Sequence, residues 1–361
     1  EVLTNSQIGG RRNIVINGAM QVAQRGTSST TDGDFAVDRF KHSFSGTDEA
    51  PTFAQVDVAS GTTPYTSGFR KSLKVTNGNQ TSGAGAGDLI QLSTDLEGQD
   101  IAKSGWNYNS TSSFIVLSFY VKSSVAQNFY GYLNITVSPT RFFPFETGTL
   151  TADTWTKVTK IIPGSSSPTL AFVNDTASGL QIAWFPFFGT NFTASGVSLD
   201  TWTVANNSER IPDMTTTWYT TNDATFEITG VQIEVGSQAT PFEHRSFGEE
   251  LLLCKRYCNV IAPINDEAFT FGHARTSTTA VGTIRLHPVM RGTPTLAFSG
   301  VTEFQVQHAN SATQTTGMTA GELSTEGVTL NATVGSGLTT GQGIEIRENT
   351  TGATVTIDAE L

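Results

Sequence analysis

The sequence has few charged residues, few cysteines and no long apolar run. Charged residues make up 15% of its 361 residues, whereas about 25% is usual for a globular protein. Lys and Arg number 21 against 32 Asp and Glu, so the formal net charge is −11. No basic cluster is dense enough to neutralise phosphates, so we expect no nucleic-acid partner. A membrane-spanning helix needs about 18 or more consecutive apolar residues. The sequence has no such run, so we expect no membrane insertion.

Motifs of catalysis and metal binding are also lacking. None of the five histidines stands in an H-E-x-x-H or His-x-His arrangement, and no G-x-S-x-G occurs. Gly83, Gly85 and Gly87 lack the strand–loop–helix context of a phosphate-binding loop, which favours a flexible loop. We therefore expect no enzyme, no catalytic residues and no metal site. Glycoside cleavage by two carboxylates stays open, because a sequence does not fix their separation.

Only two cysteines occur, Cys254 and Cys258. Both fall on one predicted helix, where their Cβ vectors suit a disulfide poorly. We interpret them as small apolar core residues, with a redox or metal pair as the alternative. A chain that does not depend on disulfides fits assembly in a reducing cytoplasm.

Thr, Ser, Gly and Asn are abundant, and 23 Phe stand against 4 Met. Thr and aromatic residues favour strands, while Gly and Asn favour turns. The clearest strand is SFIVLSFYVKS, in which Ile115, Leu117, Phe119 and Val121 share one parity and are predicted to line a core. Many short strands separated by polar loops predict an all-β fold, a jelly-roll β-sandwich.

The stretch between Thr225 and Cys258 is predicted to contain a strand, a turn with an extended segment, and a short helix. TFEITGVQIEV reads as a strand whose apolar residues change parity between Ile228 and Val231, which predicts a β-bulge near Thr229 and Gly230. After a turn and an extended segment, SFGEELLLCKRYC reads as a short helix.

The S-x-x-E spacing of Ser246 and Glu249 is that of a capping box, so the helix is predicted to begin at Ser246. A helix of three turns is not stable alone. It is either a connector packed on its own domain or an element packed around a symmetry axis between copies. In the second case Leu251, Cys254 and Cys258 form the oligomer interface.

These features predict four segments. Residues 1–12 are a polar linker from an upstream part, 13–245 the jelly roll, 246–258 the connecting helix, and 259–361 a second, smaller C-terminal β domain. Within the last segment the predicted strands are 269–275, 279–287, 295–298, 303–308, 328–334, 343–347 and 354–358.

Several aromatic residues lie in polar surroundings and are candidates for sugar binding, because sugars present C–H faces to rings and hydroxyls to amides and carboxylates. Tyr130 and Tyr132 share one strand face, opposite to the predicted core. The alternative is that each ring caps the core or a neighbouring subunit. Trp155 and Trp184 are assigned to core or interface. The candidates are Trp106, Tyr108, Tyr130, Tyr132, Trp202, Trp218 and Tyr219.

The segment GVQIEVGSQATPFEHRSFGEELLLCKRY resembles a pattern of bacteriophage tail-fibre and receptor-binding-like proteins. That pattern is GVQLEVG…ATPFE…R followed by a Glu-Leu-x-x-Cys-x-Arg-Tyr helix. RRNIVINGAMQVAQRG, FIVLSFYVKSS and TWTKVTKIIPG are similar to further segments of the same family. The resemblance covers about residues 11–258, roughly two-thirds of the chain.

The resemblance implies a carbohydrate-binding-module-like jelly roll without a shared catalytic residue set. It implies a virion fibre, made in the host cytoplasm, that binds host cell-surface glycan as a homotrimer and contacts other virion tail or fibre proteins. The alternatives are a structural virion appendage, such as a collar, neck or decorating fibre, and a glycan depolymerase. Jelly rolls of this kind often hold a structural Ca²⁺ between loops, so calcium is the one cofactor left open; the scattered Asp and Asn residues define no ligand set.

Overall fold

The computed structural model describes residues 12–263, 266–309 and 311–361. The chain divides into two compact units, with unit 1 ending at Glu250 and unit 2 beginning at Leu251. This division lies inside the helix that the sequence places between two β domains. Residues 1–11 of the predicted linker lie outside the described residues. Arg12, assigned to that linker, belongs to unit 1, since its backbone N–H donates to Glu243 Oε1 at 3.0 Å.

The described part of unit 1 consists of strands and short helical turns. The strands are β1 Ser28–Ser29, β2 Lys41–Ser45, β3 Thr52–Asp57, β4 Lys71–Thr76, β5 Leu89–Glu97, β6 Phe114–Ser123, β7 Asn128–Ile135, β8 Arg141–Thr149, β9 Thr156–Pro163, β10 Ser178–Phe188, β11 Thr203–Val204 and β12 Thr225–Val235. The helices are α1 Thr63–Thr66, α2 Gly98–Ala102, α3 Thr217–Thr220 and α4 Phe247–Lys255, the last of which continues into unit 2.

Unit 1 is a jelly-roll β-sandwich, which confirms the predicted fold class. Sheet 1 has the strand order β1-β3-β4-β12-β6-β9, and sheet 2 has the order β11-β8-β7-β10-β5-β2. Neighbouring strands in both sheets are antiparallel. The core lies between the sheets, and the predicted inward set on β6 is fully buried in it: Ile115, Leu117, Phe119 and Val121.

The bulge predicted in β12 is present. The register of β12 against β6 shifts between Thr229 and Gln232, and Gly230 has a φ of 66°. The extra residue shifts the second half of β12 by one position, so that its side chains change from one face of the sheet to the other. Ile228 and Val231, which have opposite parity in the sequence, are therefore both fully buried in the same core.

Two of the segments that carry the family resemblance, the opening segment and the segment that leads into α4, meet around one buried cation, Arg245. Its Nη1 donates to Val15 O at 3.2 Å and pairs with Glu250 Oε1 at 3.3 Å. Its Nη2 donates to the Asn13 carbonyl and to Glu243 Oε2. These four acceptors around the two Nη groups offset the cost of burying the charge, whereas the buried Nε has no hydrogen-bond partner among the described residues. Arg245 thus fixes the opening segment of unit 1 to the start of α4.

Polar residues of GVQIEVG and ATPFE extend this network. Gln232 Oε1 accepts the Glu243 N–H at 2.9 Å, and Gln232 Nε2 donates to Glu234 Oε1 at 3.0 Å. Glu234 in turn accepts the Thr240 N–H at 2.8 Å. A Cβ on Gly18, in the opening segment, would lie 2.0 Å from Val231 O. The recognised motif therefore holds the bulged strand to the opening segment.

Unit 2 is the second, smaller β unit that the sequence predicts. Strands β14-β15-β19-β18-β17-β20 form a closed barrel, and β13-β21-β16 form a separate three-stranded sheet. The barrel core is apolar and includes the fully buried Phe304, Leu330 and Ile346. The strands are β13 Cys258–Ile261, β14 Ala268–Ala274, β15 Thr279–Arg285, β16 Thr295–Phe298, β17 Phe304–His308, β18 Ser311–Leu323, β19 Gly327–Val334, β20 Gly343–Glu348 and β21 Val355–Asp358.

Helix α4 is shorter than predicted. Ser246 Oγ accepts the Glu249 N–H at 3.3 Å, so the predicted start is correct. The helix ends at Lys255, however, and Cys258 begins β13, where it pairs with Asp358 of β21. The backbone leaves the helix because its hydrogen-bonding groups are taken up by the antiparallel ladder of unit 2.

The two cysteines form no disulfide among the described residues and are completely buried, as small core residues would be. Their assignment to an interface between copies needs correction, because the single chain already covers Cys254 and Cys258. Leu251, the third assigned residue, is half-buried. The exposed apolar side chains of α4 are instead Phe247 and Leu252, which are 55% and 44% exposed. No helix among the described residues has the length and apolarity needed to cross a bilayer.

Candidate functional site

Most of the aromatic candidates are buried, which corrects the prediction that they present rings to a ligand. Trp106, Tyr132, Trp202, Trp218 and Tyr219 are between 0% and 5% exposed. For these residues the alternative, that each ring caps a core, is confirmed. Trp184 is likewise a core residue, as assigned.

Burial of these rings is possible because their polar atoms find partners inside the protein. The indole N–H groups of Trp106, Trp202 and Trp218 donate to backbone carbonyls at 3.2, 2.8 and 3.0 Å. The Tyr219 hydroxyl donates to Asp88 Oδ2 at 2.9 Å. Each of these four rings therefore enters an apolar layer with its polar atom hydrogen-bonded, and a polar sequence context does not reveal this.

Two candidates keep partial exposure, Tyr108 and Tyr130. Tyr108 packs edge-on against Trp106 and Phe172, with ring centroids 6.1 and 5.0 Å apart, at the rim of the core. Tyr130 lies on the outer face of sheet 2, as predicted, next to Glu146 of β8 in the ladder. Only Tyr130 combines partial exposure with a position on a broad sheet face.

Part of the outer face of sheet 2 is covered by the chain itself. Tyr132 stacks on Phe142 at 5.0 Å, and Phe185 stacks on Phe188 at 4.3 Å. Phe192 from the loop after β10 extends this stack, 4.6 Å from Phe188. The rings of this cluster are buried except Phe192, which is partly exposed, so the cluster supports the loop.

Arg210 closes the cluster. Its guanidinium carbon lies 5.6 Å from the Phe188 ring centroid and 5.4 Å from that of Phe192. It also lies beside the Tyr132 hydroxyl, and burial raises the pKa of that hydroxyl above its ordinary value despite the nearby positive charge. Tyr132 is therefore a neutral hydrogen-bonding group.

Beside the cluster, a row of polar side chains crosses three strands of sheet 2. Asp95 of β5 pairs with Gln181 of β10, and Gln181 pairs with Asn134 of β7. Strand neighbours are about 4.8 Å apart, so the row spans about 10 Å. Gln181 and Asn134 are partly exposed. We call Asp95, Gln181 and Asn134 the polar row.

Hydrogen bonds to Asp95 hold one end of the polar row in place. Ser178 Oγ donates to Asp95 Oδ1 at 2.6 Å, and Gln181 Nε2 donates to Asp95 Oδ2 at 3.3 Å. Burial raises the pKa of Asp95, and these two hydrogen bonds with the charges of Arg39 and Lys41 oppose that rise. Asn134 Oδ1, at the other end, accepts no hydrogen bond from any described residue. The row therefore presents the partly exposed side chains of Gln181 and Asn134 at fixed strand positions, while Asn134 Oδ1 itself is buried.

The sequence identified this site in part. The parity of NFYGYLNITV puts Asn134 on the same face of β7 as Tyr130 and Tyr132. Gln181 and Asp95 were missed as site residues. The signal for Gln181 is its parity in GLQIAWFPFFG, where Leu180 and Ile182 point inward. Asp95 lies in β5, which the sequence analysis did not identify as a strand.

No metal centre stands out. No group of three or more His, Cys, Asp or Glu side chains converges among the described residues. Acidic loop residues bind protein atoms instead; Asp48, for example, accepts hydrogen bonds from the Ser82 N–H at 2.6 Å and from Ser82 Oγ. A structural calcium ion remains an expectation from the resemblance, without an identified ligand set.

No family model and no curated protein matches the sequence. Among solved structures, the chain is similar to an enzymatically active domain of tailspike protein 4 of bacteriophage CBA120, with 10% identity and a TM-score of 0.32 over 62% of this chain and 21% of that one. It is similar to a CBM4 structure, with 12% identity and a TM-score of 0.29 over 61% of this chain and 98% of that one. It is also similar to the CBM22-1 xylan-binding domain of Paenibacillus barcinonensis Xyn10C, with 10% identity and a TM-score of 0.28 over 64% and 100%. The jelly roll is established by its own strand pairing, and likenesses at this level carry nothing about ligand or activity.

Proposed function

We propose that unit 1 binds glycan on the outer face of sheet 2. The observation that carries the proposal is the polar row of Asp95, Gln181 and Asn134 on the same face as the partly exposed Tyr130. Amides and carboxylates hold sugar hydroxyls, and a tyrosine ring packs against the C–H face of a sugar.

The geometry suits a chain of several sugar rings. Tyr130 and Asn134 lie on one strand, four residues apart, which corresponds to roughly 13 Å. Glu146, beside Tyr130, accepts a hydrogen bond from Asn128 Nδ2 at 2.7 Å. A polar group thus stands at the Tyr130 end as well as in the polar row. A single sugar would occupy one end, whereas an oligosaccharide would contact both.

The proposal extends to the biological setting. The chain acts as part of a phage tail fibre, attaches the virion to host cell-surface glycan and cleaves no bond. The resemblance at residues 11–258 supports this setting, together with the low charge and the absence of known catalytic motifs in the sequence. On the virion the chain forms a homotrimer, and this homotrimer contacts other tail or fibre proteins. The exposed Phe247 and Leu252 of α4 are the side chains available for contacts between copies, and light scattering should give the mass of three chains.

Binding to purified polysaccharides tests the site. The full chain is run by affinity electrophoresis through gels that contain bacterial capsular polysaccharide or O-antigen. Gln181→Ala should weaken binding about fivefold, because a lost polar partner costs about 1 kcal/mol. Tyr130→Ala should weaken it by a similar factor, because the ring face is lost.

The matched control for Tyr130→Ala is Phe271→Ala, which removes another ring, 65% exposed, from unit 2. Phe271→Ala should leave binding unchanged. Equal retardation of wild type and Gln181→Ala by every polysaccharide that binds would contradict the proposed site. Shortening of the polysaccharide during incubation would contradict the non-enzymatic function.

A further inference from the structure

A cleft lies on the outer face of sheet 1, on the opposite side of the sandwich from the polar row. Its volume is about 500 Å³, within the range of about 300–1,000 Å³ usual for small-molecule sites. The rings of Phe69, Tyr120, Phe242 and His244 line it, and none of the described residues in its lining is acidic. We call it the bulge cleft, because Gly230 forms part of its wall.

The bulge shapes this cleft. Gly230 has a φ of 66°, and a Cβ there would lie 2.7 Å from Phe69 Cζ, so the Phe69 ring rests against bare backbone. Around it stand Phe242, Tyr120 and His244, with ring centroids 4.8, 5.6 and 5.0 Å from that of Phe69. Phe69 is 1% exposed and forms the floor. Phe242 is partly exposed, and His244 is exposed.

Polar atoms point to a ligand with hydroxyl groups. His244 Nε2 lies 2.9 Å from the Ser67 carbonyl. A carbonyl only accepts, so Nε2 carries the hydrogen, and in the neutral ring Nδ1 is an acceptor. The Tyr120 hydroxyl lies 3.2 Å from Ser67 Oγ and keeps further hydrogen-bonding capacity. Ser118 adds another hydroxyl to the lining.

The charge at the cleft is positive. Lys157 of β9 stands opposite Tyr120 in the ladder, with Nζ 6.0 Å from the Tyr120 ring centroid. Two other lysines of β6 and β9 have carboxylate partners: Lys122 at 2.9 Å from Glu227, and Lys160 at 3.2 Å from Asp200. Lys157 is exposed and has no ion pair among the described residues. In a chain of net charge −11, an unpaired cation beside an aromatic cleft favours an anionic ligand.

We propose that the bulge cleft binds an acidic sugar of the uronate class. The C–H face of the pyranose packs on the partly exposed ring of Phe242, the carboxylate pairs with Lys157, and a hydroxyl donates to His244 Nδ1. This site does not depend on the sheet 2 proposal, and either site can fail without the other. A neutral sugar, or a second copy of the chain on the same rings, is an alternative occupant that the experiment separates.

Calorimetric titration of the full chain with oligogalacturonate and with its methyl ester tests the proposal. The two ligands share their rings, and only the first carries charge. The acid should bind more tightly than the ester, and added salt should weaken only the acid. Lys157→Gln should weaken the acid about fivefold, as expected for one ion pair near the surface, and leave the ester unchanged.

The control is Lys160→Gln, the same charge change on the same strand outside the cleft lining, which should leave both affinities unchanged. Phe242→Ala should weaken acid and ester alike, with thermal denaturation showing that the variant is folded. No binding of the acid, equal binding of acid and ester, or acid binding indifferent to Lys157→Gln would overturn the proposal. So would a loss of oligomer mass in Phe242→Ala, which would assign the rings to a contact between copies. Acid binding lost in Gln181→Ala but kept in Lys157→Gln would place the sugar on sheet 2 instead.

Discussion

At the scale of single residues, His42 shows how a titratable group is used inside the sandwich. It lies on β2, is 0% exposed, and stacks on Phe53 of the other sheet with ring centroids 3.9 Å apart. Its Nε2 lies 2.9 Å from the Thr31 carbonyl and therefore donates. Its Nδ1 is buried and has no hydrogen-bond partner among the described residues. A proton at Nδ1 would be a buried donor without an acceptor.

This environment predicts a pH-dependent stability of unit 1. Burial lowers the pKa of His42 from 6.5 to about 4, and the Thr31 carbonyl and the carboxylates of Asp34 and Asp32 offset this only in part. The unfolded chain thus takes up a proton at a higher pH than the folded chain. Stability is complete above pH 6.5 and falls as the pH drops toward 4, by up to about 3 kcal/mol.

Urea denaturation of wild type and His42→Gln between pH 7 and pH 4.5 measures this effect. Glutamine keeps a donor for Thr31 and removes the titration. The free energy of unfolding should fall more steeply with decreasing pH in wild type than in the variant. Identical pH profiles would show that His42 does not titrate as described.

The residues behind the family resemblance have a different role from the one expected of a binding motif. Arg245, Glu243 and Gln232 are bound to other segments of unit 1 and hold its opening in place. The sequence does not reveal this role, because a partner 230 residues away, Asn13, donates its backbone N–H to Glu243. These polar side chains of the motif therefore stabilise the fold of unit 1, whereas its Phe242 and His244 line the bulge cleft.

At the scale of elements, periodicity predicted the strands whose two faces differ. β12, including the bulge, was predicted with its observed bounds, and β6 was predicted to within one residue. β5 and β8 in unit 1 were missed. β8 contains Pro144, which argues against a central strand. It is tolerated because β11 pairs only with Arg141 and Phe142, so β8 is an edge strand at Pro144.

β18 was missed for another reason. Its sequence, SATQTTGMTAGEL, lacks apolar alternation, and only Thr315 and Met318 are buried. The strand forms because its backbone hydrogen-bonds to β17 on one side and to β19 on the other, within a closed barrel. Closure of this kind is a tertiary effect, and local sequence does not predict it.

The bulge gives a prediction at this scale. Gly230→Ala should destabilise unit 1 by about 2–3 kcal/mol, because alanine is strained at positive φ and its Cβ would meet the Phe69 ring. The matched control is Gly61→Ala, where φ is 83° but nothing lies within 4 Å of the added Cβ. The control substitution should lower the free energy of unfolding by about 1 kcal/mol. Equal losses in denaturant titrations would show that Phe69 does not press on the bulge.

At the scale of the whole molecule, two β units with different cores are joined through one short helix. The sequence predicted this order of parts because apolar alternation marks strands on both sides of the short helix. It predicted the candidate site only in part, because most of the aromatic residues in polar stretches are buried in the core. The polar row depends on the tertiary structure, which places β5, β10 and β7 side by side in sheet 2.

The central claim is that glycan occupies the outer face of sheet 2. Hydroxyl-radical footprinting of the full chain, with and without a polysaccharide that it binds, tests this most directly. The account predicts that oxidation of Tyr130 is reduced by the polysaccharide while oxidation of the exposed Phe271 is unchanged. Undiminished oxidation of Tyr130 at saturating polysaccharide would contradict it.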